Sequence, residues 1–145
     1  MNLSEKLHSR EKQLKKSINN TEGVISAYIF GSIAEGRETK LSDIDFAFYL
    51  DESLTKEKKT EIKLKLINDL SQIMGTDNID VIIMNNAPTT LKYNALKSGK
   101  LITSTQETKR VMFEAKTLSQ YLDRKYYTEK HTRKAINRII QKGLT

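Results

Sequence analysis

Between Asp43 and Leu50 the chain alternates strictly: Ile44, Phe46, Phe48 and Leu50 are apolar, while Asp43, Asp45, Ala47 and Tyr49 fall between them. Side chains on a strand point to opposite faces with a period of two. The pattern therefore predicts a strand with one core-seeking face and another carrying two carboxylates on the same side. By strand geometry those carboxylates lie within about 7 Å of each other. They repel unless something positive sits between them, and a divalent cation with a taste for oxygen ligands meets that need.

A second acid stands in an apolar setting. Asp80 lies in Ile79-Asp80-Val81-Ile82-Ile83-Met84, a run expected to form a buried strand. Burying an unpaired carboxylate costs several kcal/mol as an order of magnitude. Such an acid has a cation, a strong hydrogen-bond donor or a place at the sheet's edge. Alone, Asp80 is a strand-end acid; beside Asp43 and Asp45 on a neighbouring strand, it becomes a candidate third metal ligand.

Upstream, Val24 to Phe30 is rich in β-branched and aromatic residues, predicts a strand and stops at Gly31-Ser32. Glycine lets a phosphate approach the backbone, and Ser32 with the following N–H groups can donate to phosphate oxygens. In isolation Gly-Ser after a strand is a turn. Its order with the two acidic strands gives it weight.

Helical periodicity fills the rest. Leu3, Leu7, Leu14 and Ile18 predict one helix ending near Asn19-Asn20. Another is expected from about Thr55 to Met74, stopped by Gly75. Pro88 is placed to open a helix that ends at Gly99, and Leu101 to Thr103 is a short edge-strand candidate. From about Gln106 the chain is expected to be helical, with a kink near Tyr126-Tyr127. Tyr121, Tyr126 and Tyr127 are expected at core or half-buried positions, and His131 at the surface. Helices alternate with strands at the front and accumulate at the back, the layout of an α+β or α/β-like domain with a small sheet. Residues 1–145 are in the size range of a single domain.

The net charge of +7 attracts anions without selecting among nucleotides, nucleic acid and acidic proteins. The excess gathers in the tail, where Gln120 to Thr145 holds seven basic residues against Asp123 and Glu129. That tail is either a solvated helix face or a binding surface. Neither aromatic-basic interleaving nor a helix-turn-helix pattern is present, which argues against direct nucleic-acid binding. Cysteine is absent, excluding disulfides, thiolate metal sites and cysteine nucleophiles. The charged N-terminus does not suit a signal peptide, and the longest aliphatic run, Val81 to Met84, is too short for a bilayer. A cytoplasmic protein without membrane contact is the expectation.

Gly31-Ser32, Ser42-Asp43-Ile44-Asp45 and a later Asp80 resemble the nucleotidyltransferase superfamily that includes polymerase beta. More narrowly, Gly31-Ser32-Ile33-Ala34-Glu35-Gly36 leading into Ser42-Asp43-Ile44-Asp45-Phe46-Ala47 is similar to the minimal nucleotidyltransferase (MNT) family. The likeness runs from about Val24 to Asp123 and is most specific from Phe30 to Phe46. Glu35 departs from it, since members often carry arginine before that glycine; Arg37 stands two residues on.

The resemblance implies a small mixed sheet flanked by helices, with a helical C-terminal tail. It implies Asp43, Asp45 and Asp80 as catalytic metal ligands for two Mg²⁺ ions, and Gly31 and Ser32 against the phosphates of a nucleoside triphosphate, ATP. It implies an antitoxin that moves AMP onto a tyrosine of a cognate HEPN-domain toxin. Transfer to a small molecule of the aminoglycoside type, or a partner-binding module with an inactive site, are the alternatives.

Overall fold

The computed structural model describes residues 3–31 and 43–143. Ten elements follow in order: α1 (Leu3–Ser9), α2 (Glu11–Asn19), β1 (Val24–Phe30), β2 (Ile44–Leu50), α3 (Lys56–Met74), β3 (Ile79–Ile83), a 3-10 turn (Met84–Asn86), α4 (Thr89–Ser98), β4 (Lys100–Ser104) and α5 (Glu107–Gly143). The strands form one mixed sheet in the order β3-β2-β1-β4. β1 is antiparallel to β2 and β4, whereas β2 and β3 are parallel and joined across α3. This is the small mixed, helix-flanked sheet expected from the sequence.

α3 has clear start and stop signals. The Thr55 side chain accepts a hydrogen bond from the Lys58 N–H at 3.1 Å, and Gly75 ends the helix in the left-handed conformation at φ 67°. Its buried stripe of Ile62, Leu66, Leu70 and Met74 packs with Leu14 and Ile18 of α2 onto one face of the sheet. Ile44, Phe46, Phe48 and Leu50 occupy that face, as their alternation predicts. The opposite face is covered too. Ala47, Tyr49, Ile25 and Tyr28 form a second cluster with Met84, Ala95 and Phe113, under α4 and α5. The sheet is thus sandwiched, and among the described residues of β2 the half-buried Asp45, near its start, is the least covered.

Several local expectations change. The predicted first helix is two, because Arg10 leaves helical geometry at φ −110°, ψ 11° and sends its guanidinium to the Ile73 carbonyl at 2.7 Å. A cationic donor there satisfies a carbonyl of the last turn of α3. β3 lies at the sheet's edge rather than buried inside it, and Asp80 on it is exposed. The third strand ends one residue early, and the 3-10 turn turns Asn85 back onto β2. Its amide accepts from the Leu50 N–H at 2.9 Å and donates to the Leu50 carbonyl at 2.7 Å. α5 is one uninterrupted helix with no break at Tyr126-Tyr127, and both tyrosines are exposed, at 67% and 63%. Tyr121 is half-buried as expected, stacked on Tyr93 at 3.7 Å between ring centroids.

Candidate active site

β2 and β3 bring the acids together through their pairing. The Ile44 N–H donates to the Asn78 carbonyl at 2.8 Å, which fixes the start of β2 against the approach to β3. From there the parallel register pairs Ile44 with Ile79 and Asp45 with Asp80. Register partners on adjacent strands share a face and stand about 4.8 Å apart in the backbone. Asp80 is therefore on the same side of the sheet as Asp45, and Asp43 flanks them from the residue before β2.

Asp45 is half-buried, the least buried residue of β2, while Asp43 and Asp80 are exposed. Burial, then the charges of Asp80 and Asp43, push the Asp45 carboxyl above the usual carboxylate range. Asp45 thus stands close enough to both other acids to feel their charge. Among the described residues no group of three His, Asp or Glu side chains stands ready to hold a metal ion. As a donor set, three carboxylates fit a hard divalent cation such as Mg²⁺.

Gly31 is part of the same arrangement. Antiparallel pairing sets Phe30 opposite Asp45. Gly31 follows at φ 79°, in the left-handed region that favours glycine. A Cβ placed there would collide with Asp45 Oδ2 and lie 3.2 Å from its Cγ. The missing side chain is what lets the Asp45 carboxylate lie over the end of β1. Ser32, the other half of the expected phosphate cradle, lies outside the described residues, as do Glu35, Gly36, Arg37 and Ser42.

Supporting contacts between β1 and α5 were not evident from sequence. Tyr28, under α5, donates its hydroxyl to Glu114 at 2.9 Å, and Arg110 grips Glu114 at 2.8 Å and Glu107 at 2.6 Å. Burial pushes the Tyr28 hydroxyl well above its ordinary value, keeping it a donor. These bonds tie the first turns of α5 to β1 across 86 positions of sequence, a separation no local pattern reports. A groove of about 560 Å³, lined by Tyr49, Asn85, Lys92 and Phe113 among others, opens at the far end of β2 from the acids.

A strand ending in glycine, an acid pair at the start of the next strand and a third acid in register beside them are the arrangement expected of a nucleotidyltransferase. The chain belongs to the family described as Polymerase beta, Nucleotidyltransferase, which it matches over residues 12–108. It is similar to the protein adenylyltransferase MntA of Shewanella oneidensis, with 30% identity over 94 residues, covering 65% of this chain and 63% of the relative. Its fold is shared by a toxin–antitoxin structure with AMP-PNP, at a TM-score of 0.64 and 23% identity, covering 88% of this chain and 97% of that one. It is shared as well by a tri-AMPylated Shewanella oneidensis HEPN toxin in complex with MNT antitoxin, at a TM-score of 0.61 and 22% identity, covering 89% and 98%. Among the described residues no helix is long and apolar enough to cross a membrane.

Proposed function

We propose that this chain transfers AMP from ATP to a tyrosine of a cognate HEPN-domain toxin, acting as its antitoxin in the cytoplasm, with residues 1–145 working as one catalytic domain. The observation that carries this reading is the in-register pairing of Asp45 with Asp80 beside Gly31, in a chain similar to a protein adenylyltransferase.

In this reading Gly31 and Ser32 receive the triphosphate through backbone N–H groups and the serine hydroxyl. Asp43, Asp45 and Asp80 would hold two Mg²⁺ ions. Bound there, Mg²⁺ offsets the charge of the phosphates and of the entering and leaving oxygens. Asp80, on the exposed edge strand, orients the attacking tyrosine hydroxyl and accepts its proton. The tyrosine oxygen forms a bond to the α-phosphorus, the bond from that phosphorus to the bridging oxygen breaks, and pyrophosphate leaves. AMP remains on the tyrosine.

The test is to incubate the purified chain with Mg²⁺, each labelled nucleoside triphosphate and the cognate HEPN-domain protein, then weigh the products. AMP on a tyrosine of the partner, lost in Asp43→Asn/Asp45→Asn, is the expected result. Tight binding without modification, or undiminished transfer by that variant, overturns the proposal.

A further inference from the structure

α5 carries two distinct faces. Along one, Phe113 and Thr117 are buried against the body and Tyr121 stacks on Tyr93 of α4. Along the other, Val111, Leu118, Leu122, Tyr126, Ile136 and Ile140 recur at helical spacing and fall on one stripe. Each is about half exposed or more: Leu118 is at 47%, Leu122 at 51%, Ile136 at 50% and Ile140 at 51%. From Leu122 to Lys142 every residue of the helix is exposed. With 37 residues at about 1.5 Å each, α5 is roughly 55 Å long, and its second half carries this stripe beyond the body.

A helix whose only task is to be solvated needs no aliphatic stripe, and the exposed apolar groups at 118–126 and 136–140, separated on the stripe by Glu129 and Arg133, mark an interaction site. Its surroundings select the occupant. This half of the helix holds seven basic residues against two acids, Asp123 and Glu129; by helical spacing Lys125 and Arg133 fall on or at the edge of the stripe, Lys130 and Lys134 to one side, and Arg124, Arg138 and Lys142 on the opposite face. A second copy would set like charges against each other. A nucleic-acid backbone would engage the cations but gives no seat to Leu122, Ile136 and Ile140. Glu129 and Arg133, both on the stripe itself, interrupt the continuous apolar face that insertion into a bilayer needs.

We propose that the second face of α5 is the docking surface for the partner protein, whose matching face presents an apolar seam bordered by acidic side chains. The inference rests on the reading above that the acceptor is a protein, and adds where that protein is held. Apolar side chains supply the affinity, while the basic rim sets orientation and encounter rate.

The experiment uses the full chain and the purified cognate HEPN-domain protein, with titration calorimetry at low and high salt. Ile136→Asp/Ile140→Asp is expected to raise Kd at least about 30-fold. Arg133→Glu/Lys134→Glu is expected to raise it about 10-fold at low salt and less at high salt. Both replace exposed residues and should keep the wild-type circular dichroism, and the chain alone should sediment as a monomer. An unchanged Kd in the aspartate pair overturns the proposal, as does a wild-type chain that does not bind. Self-association abolished by that pair, or its loss of binding to phosphatidylserine vesicles while partner binding survives, overturns it equally. Asp43→Asn/Asp45→Asn separates the two ideas, since it should abolish AMP transfer and leave Kd unchanged. Binding through the stripe without transfer by the wild type would remove the adenylyltransferase reading alone. Normal transfer and Kd in the stripe variant would remove the docking surface alone.

Discussion

Gly31 and Asp45 are coupled by space as well as by sequence order. Because a Cβ at Gly31 meets the Asp45 carboxylate and φ is positive, Gly31→Ala should lose about 1–3 kcal/mol of stability in denaturant unfolding. Transfer should fall with it, as Asp45 is displaced. Asp45 itself is expected to trade stability for charge. Its carboxyl is raised by burial and by Asp80 and Asp43, so the folded protein binds that proton more tightly than the unfolded chain does. Stability then falls as pH rises from the ordinary carboxylate value through the raised one, and the loss is complete above it. Asp45→Asn should consequently melt higher than wild type at neutral pH, with the gap closing in acid, while transfer drops at least about 10²-fold. A variant that melts lower at neutral pH would contradict this. The acid pair was legible because period two is a strong signal. Asp80's exposure was not, because an apolar run looks the same in a central strand and in an edge strand covered by helices.

Capping decides how well the elements hold those residues. α3 forms the crossover that makes β2 and β3 parallel, and so sets Asp45 beside Asp80. Thr55→Ala removes the acceptor for the Lys58 N–H and should cost about 1 kcal/mol in the same unfolding assay. Asn85 holds both backbone groups of Leu50, so Asn85→Ala leaves a part-buried N–H and carbonyl unpaired and should cost about 1–3 kcal/mol. α3 was legible almost to the residue because its cap, stripe and terminal glycine agree. The break at Arg10 was not, since it depends on the Ile73 carbonyl, 63 positions away. Nor was the fate of Tyr126 and Tyr127: helical periodicity marks a stripe but does not say whether the body reaches far enough to cover it.

Among the described residues, the acid-bearing end of β2 and the outer face of α5 are features that packing does not explain. If the three acids form a cation site, Mg²⁺ should stabilise the fold by about 1.4 kcal/mol at ten times its Kd. Thermal unfolding should show this gain in wild type and not in Asp43→Asn/Asp45→Asn. Sequence order alone placed three acids near one another; strand pairing placed Asp80 opposite Asp45, and that register is what the catalytic reading rests on. Anomalous diffraction from Mn²⁺ in crystals grown with a non-hydrolysable ATP analogue locates such a cation directly. The prediction is a peak at about 2.0–2.3 Å from carboxylate oxygens of Asp43 and Asp45, with Asp80 turned toward the same centre. Mn²⁺ held by the phosphates alone, or with Asp80 directed away from it, would contradict it.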